Sequence, residues 1–190
     1  MKLVDAASCD DKSLTLAAEL VYSSLSMFYD IFASFGVPVK IILAESFRVR
    51  GCSVSNAILA LDAGGNVGGV MADLGLSEMQ RALYSDLQLF MRRAEKSVTP
   101  MLRDALQTHA AMIPPIAGAG RYLARFAVGP GMQGSGLADL LLDRFEQNGS
   151  NFYLHVHRDN KRAISFYQRR DYVFAAGSER EFCVMSKKKL

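Results

Sequence analysis

The sequence predicts an α/β protein in which helices cover a mixed sheet, and three features of its order point there. A glycine-rich turn, Asp62-Ala63-Gly64-Gly65-Asn66, separates two apolar runs (Asn56–Leu61 and Val67–Leu74) and marks a β-hairpin. Later a strand, a glycine-rich loop, an amphipathic helix, a second strand and a second helix follow one another. That succession brings strands together with helices laid on them. Between these parts, residues 77–115 change to a helical period and have the character of an insertion.

Composition narrows the class. A chain of 190 residues fits one domain with an insertion, and 50% hydrophobic with 22% charged residues excludes general disorder. A net charge of +3 is too small to argue for nucleic acid as a partner, yet is compatible with a local anion site. Cys9, Cys52 and Cys183 are odd in number and far apart, so they form neither a disulfide framework nor a zinc or redox motif. Buried or idle thiols in a reducing compartment are expected. Asp5 interrupts any signal-peptide core, and Glu19, Asp30, Lys40 and Glu45 break up the longest apolar stretches before they reach a membrane span. A soluble, cytoplasmic protein with no membrane partner is the expectation.

Each element has its own local warrant. Lys2–Ala6 reads as a short strand. Asp10, Asp11 and Ser13 offer caps to a helix with Leu14, Ala17, Val21 and Leu25 on one face. A second helix runs from Ser26 to Phe35 and stops at Gly36, with Pro38 beyond it. In the insertion, Met79, Leu83, Leu87 and Met91 form an apolar helical face that must be covered, by the acceptor end of a cleft or by a second chain in a homodimer. Thr99-Pro100 starts another helix, which Pro114-Pro115 ends. Tyr122–Val128 is a strand and Leu137, Leu140, Leu141 and Phe145 share a helix face. Phe152, Leu154 and Val156 point to one side of the next strand, Tyr153, His155 and His157 to the other. Asn160–Arg170 is a helix, and a hairpin from Tyr172 to about Met185 closes the chain, leaving Lys187–Lys189 as a frayed tail.

Two motifs carry chemistry. Gly129-x-Gly131-x-x-Gly134 has the spacing of a dinucleotide loop, but the next strand ends in Val156-His157, not in the acid that would bind a ribose. A tight turn with no ligand is the other bland reading. In a different register, Gln133-Gly134-Ser135-Gly136-Leu137-Ala138 has the form Q/R-x-x-G-x-G/A. Small residues there let successive backbone N–H groups converge on a pyrophosphate at the positive end of the following helix. Further on, Leu154-His155-Val156, Asn160, Ala163-Ile164-Ser165-Phe166-Tyr167 and Arg170-Asp171-Tyr172 form a second ordered pattern.

Together these motifs resemble those of the GNAT N-acetyltransferase superfamily, over about residues 120–175. The resemblance implies a mostly antiparallel central sheet flanked by helices, splayed between Tyr122–Val128 and Phe152–Val156. The helical insertion then lies before the cofactor-binding strand, within a single domain of residues 1–190. It also implies acetyl-CoA as co-substrate and no metal. Phe126, Ala127 and Val128 would pair through their backbone with the pantetheine arm. Gln133, Gly134, Ser135, Gly136, Leu137 and Ala138 would hold the pyrophosphate. Asn160 would hydrogen-bond the pantetheine or thioester side, and Phe166 stands among the cofactor-binding residues. Tyr167, two turns beyond Asn160, would give a proton to the departing thiolate, although a core aromatic is its bland alternative.

Two departures from the pattern bear on this reading. Asp171 stands where the family has glycine, and Asp tolerates a left-handed conformation better than most residues. His155 stands where one branch of the family carries a proton-relaying acid. An imidazole suits a general base or relay, while its bland alternative is a histidine hydrogen-bonded beneath a helix. His155-x-His157 has too few companions at ligand spacing for a zinc site. The basic cluster Arg158, Lys161, Arg162, Arg169 and Arg170 is partly a solvated helix face, and some of it would meet the cofactor's 3′-phosphate. The reaction implied is direct attack of an amine, on a small molecule or a peptide, on the thioester. A backbone N–H at Val128 would stabilise the oxyanion. The alternative is a non-catalytic acyl-CoA-binding module on the same fold.

Overall fold

The structure, a computed structural model, describes every residue except Asn148, Ser178, Lys189 and Leu190. Seven strands form one sheet: β1 (Lys2–Asp5), β2 (Ile58–Leu61), β3 (Val67–Gly75), β4 (Arg121–Val128), β5 (Asn151–His157), β6 (Val173–Ala176) and β7 (Phe182–Lys188). Their spatial order is β1-β2-β3-β4-β5-β7-β6. Every neighbouring pair is antiparallel except β4–β5. A mixed, mostly antiparallel sheet is therefore what the chain builds.

Helices cover both faces, and the alternation of strand side chains decides which. Val70 and Ala72 of β3 and Ala127 of β4 join a core with α1 (Asp11–Ser24), α2 (Ser26–Ala33) and α3 (Val39–Ser46). Met71 of β3 and Leu123 of β4 join another with α6 (Leu137–Glu146) and α7 (Lys161–Gln168), where Phe126 and Val128 also pack. Asp10 caps α1 by accepting a hydrogen bond from the Ser13 N–H at 2.9 Å. Leu14, Ala17, Ala18 and Val21 then fall on its buried face. After α2 the chain reverses at Gly36 (φ 77°), a left-handed position that glycine adopts without cost.

The insertion comprises α4 (Met79–Met91) and α5 (Thr99–Ala111). It packs on its own chain: α4 lies against α3, and α5 against α2. Of the face the spacing suggests, Met79, Leu87 and Met91 pack against the core and Leu83 turns outward. Leu83 is 36% exposed, whereas Ala82, Asp86 and Phe90 are buried. Phe90 meets the rings of Phe32 (4.7 Å between centroids) and Tyr29 (5.9 Å), which fixes the rotation of α4. Most of that apolar stripe is thus covered by the chain's own core.

The C-terminal end is also more ordered than its composition suggests. Lys187 lies inside β7, with Nζ 2.8 Å from Glu146 Oε2, so it is not part of a frayed tail. Lys189 falls outside the described residues. Cys52 and Cys183 are buried and Cys9 half-buried, all as free thiols. Burial, followed by the nearby Asp86 carboxylate, pushes the Cys52 thiol up to about 12, which leaves it unreactive at neutral pH.

Candidate active site

The site arises where the one parallel pair comes apart. β4 and β5 pair only at Arg121–Phe152, Tyr122–Tyr153 and Leu123–Leu154. Just beyond, the register of β4 against β3 steps from Leu123–Asp73 to Arg125–Ala72, so Ala124 is unopposed and forms a bulge. The rest of β4 diverges from β5 and opens a cleft of about 740 Å³. Gly129 donates its N–H to Gly68 O on the β3 side at 2.8 Å. Because strand N–H groups alternate sides, those of Phe126 and Val128 face the opening. The strand thus presents an unpaired backbone edge to any ligand that enters.

The phosphate-like end of the cleft is made by the loop from Gly129 to Gly136. A single 3₁₀ turn at Pro130–Met132 starts it, and Gly134 (φ 79°) and Gly136 (φ 81°) end it in left-handed conformations. Those dihedrals, not lack of room, demand glycine, since a Cβ at either would meet nothing within 4 Å. No side chain caps α6, so its first-turn N–H groups point free into the loop. This is the dipole and donor arrangement that holds anions. The Gln133 side-chain oxygen accepts a hydrogen bond from Arg162, which ties the loop to the start of α7.

The cleft brings together Phe126, Ala127, Val128, Gln133, Gly134, Gly136, Ala138, His155, Asn160, Phe166 and Tyr167. Two members of the loop motif lie outside its lining. Ser135 turns its hydroxyl back to Met132 O at 2.6 Å, and the Leu137 side chain is buried beneath the sheet, so only their backbones serve the loop. Asn160 caps α7 by accepting the Ala163 N–H at 3.0 Å, which leaves its side-chain N–H₂ for a ligand. Phe126 stacks on Phe166 at 6.1 Å and meets Tyr167 at 6.2 Å, forming an aromatic wall. Tyr167 is 6% exposed, and burial raises its phenol pKa and keeps it protonated. Asp171 has φ 65°, the one positive φ outside glycine among the described residues, and closes α7 as the glycine of the pattern would.

His155 differs from the expectation of a free base. Its Nε2 lies 2.7 Å from Pro114 O, a group that only accepts, so Nε2 carries the proton. Its Nδ1 therefore accepts from the Tyr122 hydroxyl at 2.9 Å. Burial lowers its pKa despite the Pro114 carbonyl, so the ring is neutral with both nitrogens occupied. The geometry gives His155 a positioning role: it ties the segment after α5 to β5 and to Tyr122.

Sequence reasoning missed Arg125, which lines the cleft while 7% exposed. Its Nε donates to Tyr29 Oη at 3.0 Å and one terminal nitrogen to Ala124 O at 2.7 Å. The other terminal nitrogen reaches Asp86 Oδ2 of α4 at 3.4 Å. Burial opposes its charge, but Tyr29 and Asp86 outweigh burial and hold the guanidinium charged. The signal was an arginine between Ala124 and Phe126, at a buried position inside the strand. Of the basic cluster, Arg162 and Arg169 line the cleft. Arg170 is instead tied to the acids of α6: Asp139 at 3.2 Å, Asp143, and Glu146 at 3.8 Å.

Residues 105–172 match the acetyltransferase (GNAT) family, and the whole chain shares its fold with solved acetyltransferases. An N-acetyltransferase from Staphylococcus aureus Mu50 superposes with a TM-score of 0.64 at 11% identity, over 98% of this chain and 100% of that one. A structure described only as an acetyltransferase gives 0.61 at 16% identity, over 100% of both chains. Naa20 from Chaetomium thermophilum, in complex with a bisubstrate analogue, gives 0.51 at 14% identity, over 100% of this chain and 87% of that one. No curated protein matches the chain in sequence. Among the described residues no helix is long and apolar enough to cross a membrane, and no group of three or more His, Cys, Asp or Glu is arranged to hold a metal ion.

Proposed function

We propose that the protein transfers an acetyl group from acetyl-CoA to an amine by direct attack. The observation that carries this reading is the cleft itself, with an open backbone edge, a glycine loop at an uncapped helix and a protonated tyrosine on one lining. The residues fit acetyl-CoA: the first turn of α6 receives the pyrophosphate, and the open edge of β4 pairs with the pantetheine arm, to which Phe126 offers its N–H. Acetyl-CoA supplies an activated thioester carbonyl. The N–H of Val128 stabilises charge on that carbonyl oxygen, and Asn160 orients the arm through its free amide N–H₂. Tyr167 donates its phenolic proton to sulfur as the C–S bond breaks, and the proton lost by the attacking nitrogen returns to the phenolate through solvent, so the exchange balances. Its raised pKa does not forbid this, because a thiolate leaving into the same dry wall is made more basic by the same burial. The amine must arrive neutral, since His155 offers no free nitrogen to deprotonate it.

Binding calorimetry tests the reading. Acetyl-CoA should bind and NAD should not. Gly136→Glu sets an anion at the helix N-terminus in a left-handed position (φ 81°) and should abolish acetyl-CoA binding while the fold survives. Unchanged affinity in that variant rules the loop assignment out. Tight acetyl-CoA binding without thiol release against any amine would instead favour the non-catalytic module.

A further inference from the structure

Away from the glycine loop the cleft lining includes two side-chain donors, Arg125 and His157, and, among the described residues, no carboxylate. Arg125 has five N–H groups and spends three of them, on Tyr29, Ala124 O and Asp86. One N–H remains on each terminal nitrogen for a ligand. Asp86 does not hold the guanidinium closely. Its carboxylate is met by the Ser53 N–H at 2.9 Å and the Ser53 hydroxyl at 2.5 Å, against 3.4 Å to Arg125. The guanidinium is therefore anchored yet only partly neutralised.

A second donor lines the same cleft from β5. His157 Nδ1 accepts the Asp159 N–H at 3.3 Å, which places the proton on Nε2. That Nε2 is buried and has no partner among the described residues, a cost of burial that a ligand would relieve. Ser23 and Ser24 at the α1–α2 junction also line the cleft, and their hydroxyls donate to Leu20 O and Val21 O. Among the described lining residues the one acid is Asp139, at the opposite, α6 end and paired with Arg170 at 3.2 Å. A cationic polyamine or a lysine-rich peptide would find no counter-charge here.

We propose that the acceptor is an amine that also bears a carboxylate, an amino acid in the chemical sense, with its carboxylate held by Arg125 and the Nε2–H of His157. One partly neutralised guanidinium and one imidazole N–H suit a monoanion better than a phosphate dianion. This rests on the acetyltransferase reading and names its substrate class. Arg125 and His157 sit on the face of the sheet that carries α1, α2 and the insertion. Phe126 and Tyr167 of the cofactor wall belong to the other face, so the two substrates approach from opposite sides of the splayed strands.

The test is a matched panel with free-thiol release as readout: L-amino acids, their carboxamides, and diamines of similar length. Amino acids should exceed their amides in kcat/KM by at least about 10-fold, the worth of one charge-assisted hydrogen bond. His157→Phe and Arg125→Lys should each lower that preference mainly through KM of the carboxylate substrate. Equal or better turnover of amides or diamines overturns the proposal and leaves the acetyltransferase reading intact. Should no amine release thiol, ligand-observed NMR on the CoA-loaded protein compares N-acetylglycine with N-acetylglycinamide. Tighter binding of the carboxylate, lost in His157→Phe, supports the proposal, and equal or absent binding overturns it. Failure to bind CoA at all would fault the underlying reading separately.

Discussion

Replacing Tyr167 by phenylalanine removes one oxygen from a side chain that is 6% exposed and packed among Phe126, Phe166 and Tyr172. The aromatic wall keeps its shape, so thermal stability should change little. The acetyl-CoA dissociation constant should stay within about twofold, because the ring and not the hydroxyl makes the wall. The chemistry should change more. General acid catalysis is typically worth about 10²–10⁴ in rate, and water entering the opened site recovers part of that, so kcat should fall at least about 10-fold. Burial raises the phenol pKa, so the wild-type group stays protonated between about pH 6 and 9 and contributes no ionisation to kcat there. The assay is steady-state thiol release beside calorimetric titration of acetyl-CoA. A phenylalanine variant with wild-type kcat refutes the role of Tyr167. One that loses acetyl-CoA affinity and kcat in parallel shows that the hydroxyl binds rather than reacts.

Three further expectations follow from burial. His155→Ala strands the Pro114 carbonyl and the Tyr122 hydroxyl, so it should cost about 1–3 kcal/mol of stability while the shape of the kcat/KM–pH profile persists; a lost limb near neutral pH with unchanged urea stability would restore the base role. Tyr29, Tyr122, Tyr167 and Tyr172 all have pKa values raised first of all by burial, Tyr122 to about 12. Unfolded tyrosines ionise near pH 10, so the folded chain binds more protons above that pH; stability should be level below about pH 10 and fall as pH rises toward the folded values, and urea midpoints that stay flat to about pH 11.5 contradict this. Phe90→Ala should cost about 3–5 kcal/mol and Leu83→Asp little, measured by urea unfolding; equal costs would mean that α4 is rotated as its apolar spacing suggests.

The parts of the fold that local chemistry determines were legible in the sequence. The Asp10 cap, the glycine turn of the β2–β3 hairpin and the Gln133–Ala138 loop each need particular residues, and each lies where those residues stand. Asp171 was legible in the same way, since few other side chains sit easily at φ 65°. Helix α3 was not, because Pro38 reads as a breaker after α2 and here stands at the N-cap of the next helix. The state of His155 was hidden for a different reason. Its partners come from Tyr122 on β4 and Pro114 after α5, and no local pattern reports that a carbonyl distant in the chain consumes a proton donor.

Arg125 and Asp86 show why the acceptor half resisted reading from sequence. Each charge, taken alone, argues for an outward position: Arg125 interrupts an apolar strand, and Asp86 interrupts the buried face of α4. Together they explain one another, but they lie 39 positions apart, on β4 and on the insertion. Burying such a pair is a weak source of stability, because the desolvation of both charges roughly cancels their attraction, and well-packed apolar residues often do as well. A structural purpose alone therefore gives little reason for this guanidinium, whereas a ligand that needs a fixed cation gives a direct one. The insertion then has a chemical consequence beyond packing. By carrying Asp86, whose carboxylate approaches Arg125 at 3.4 Å, α4 partly offsets the charge that Tyr29 and the Ala124 carbonyl hold in place.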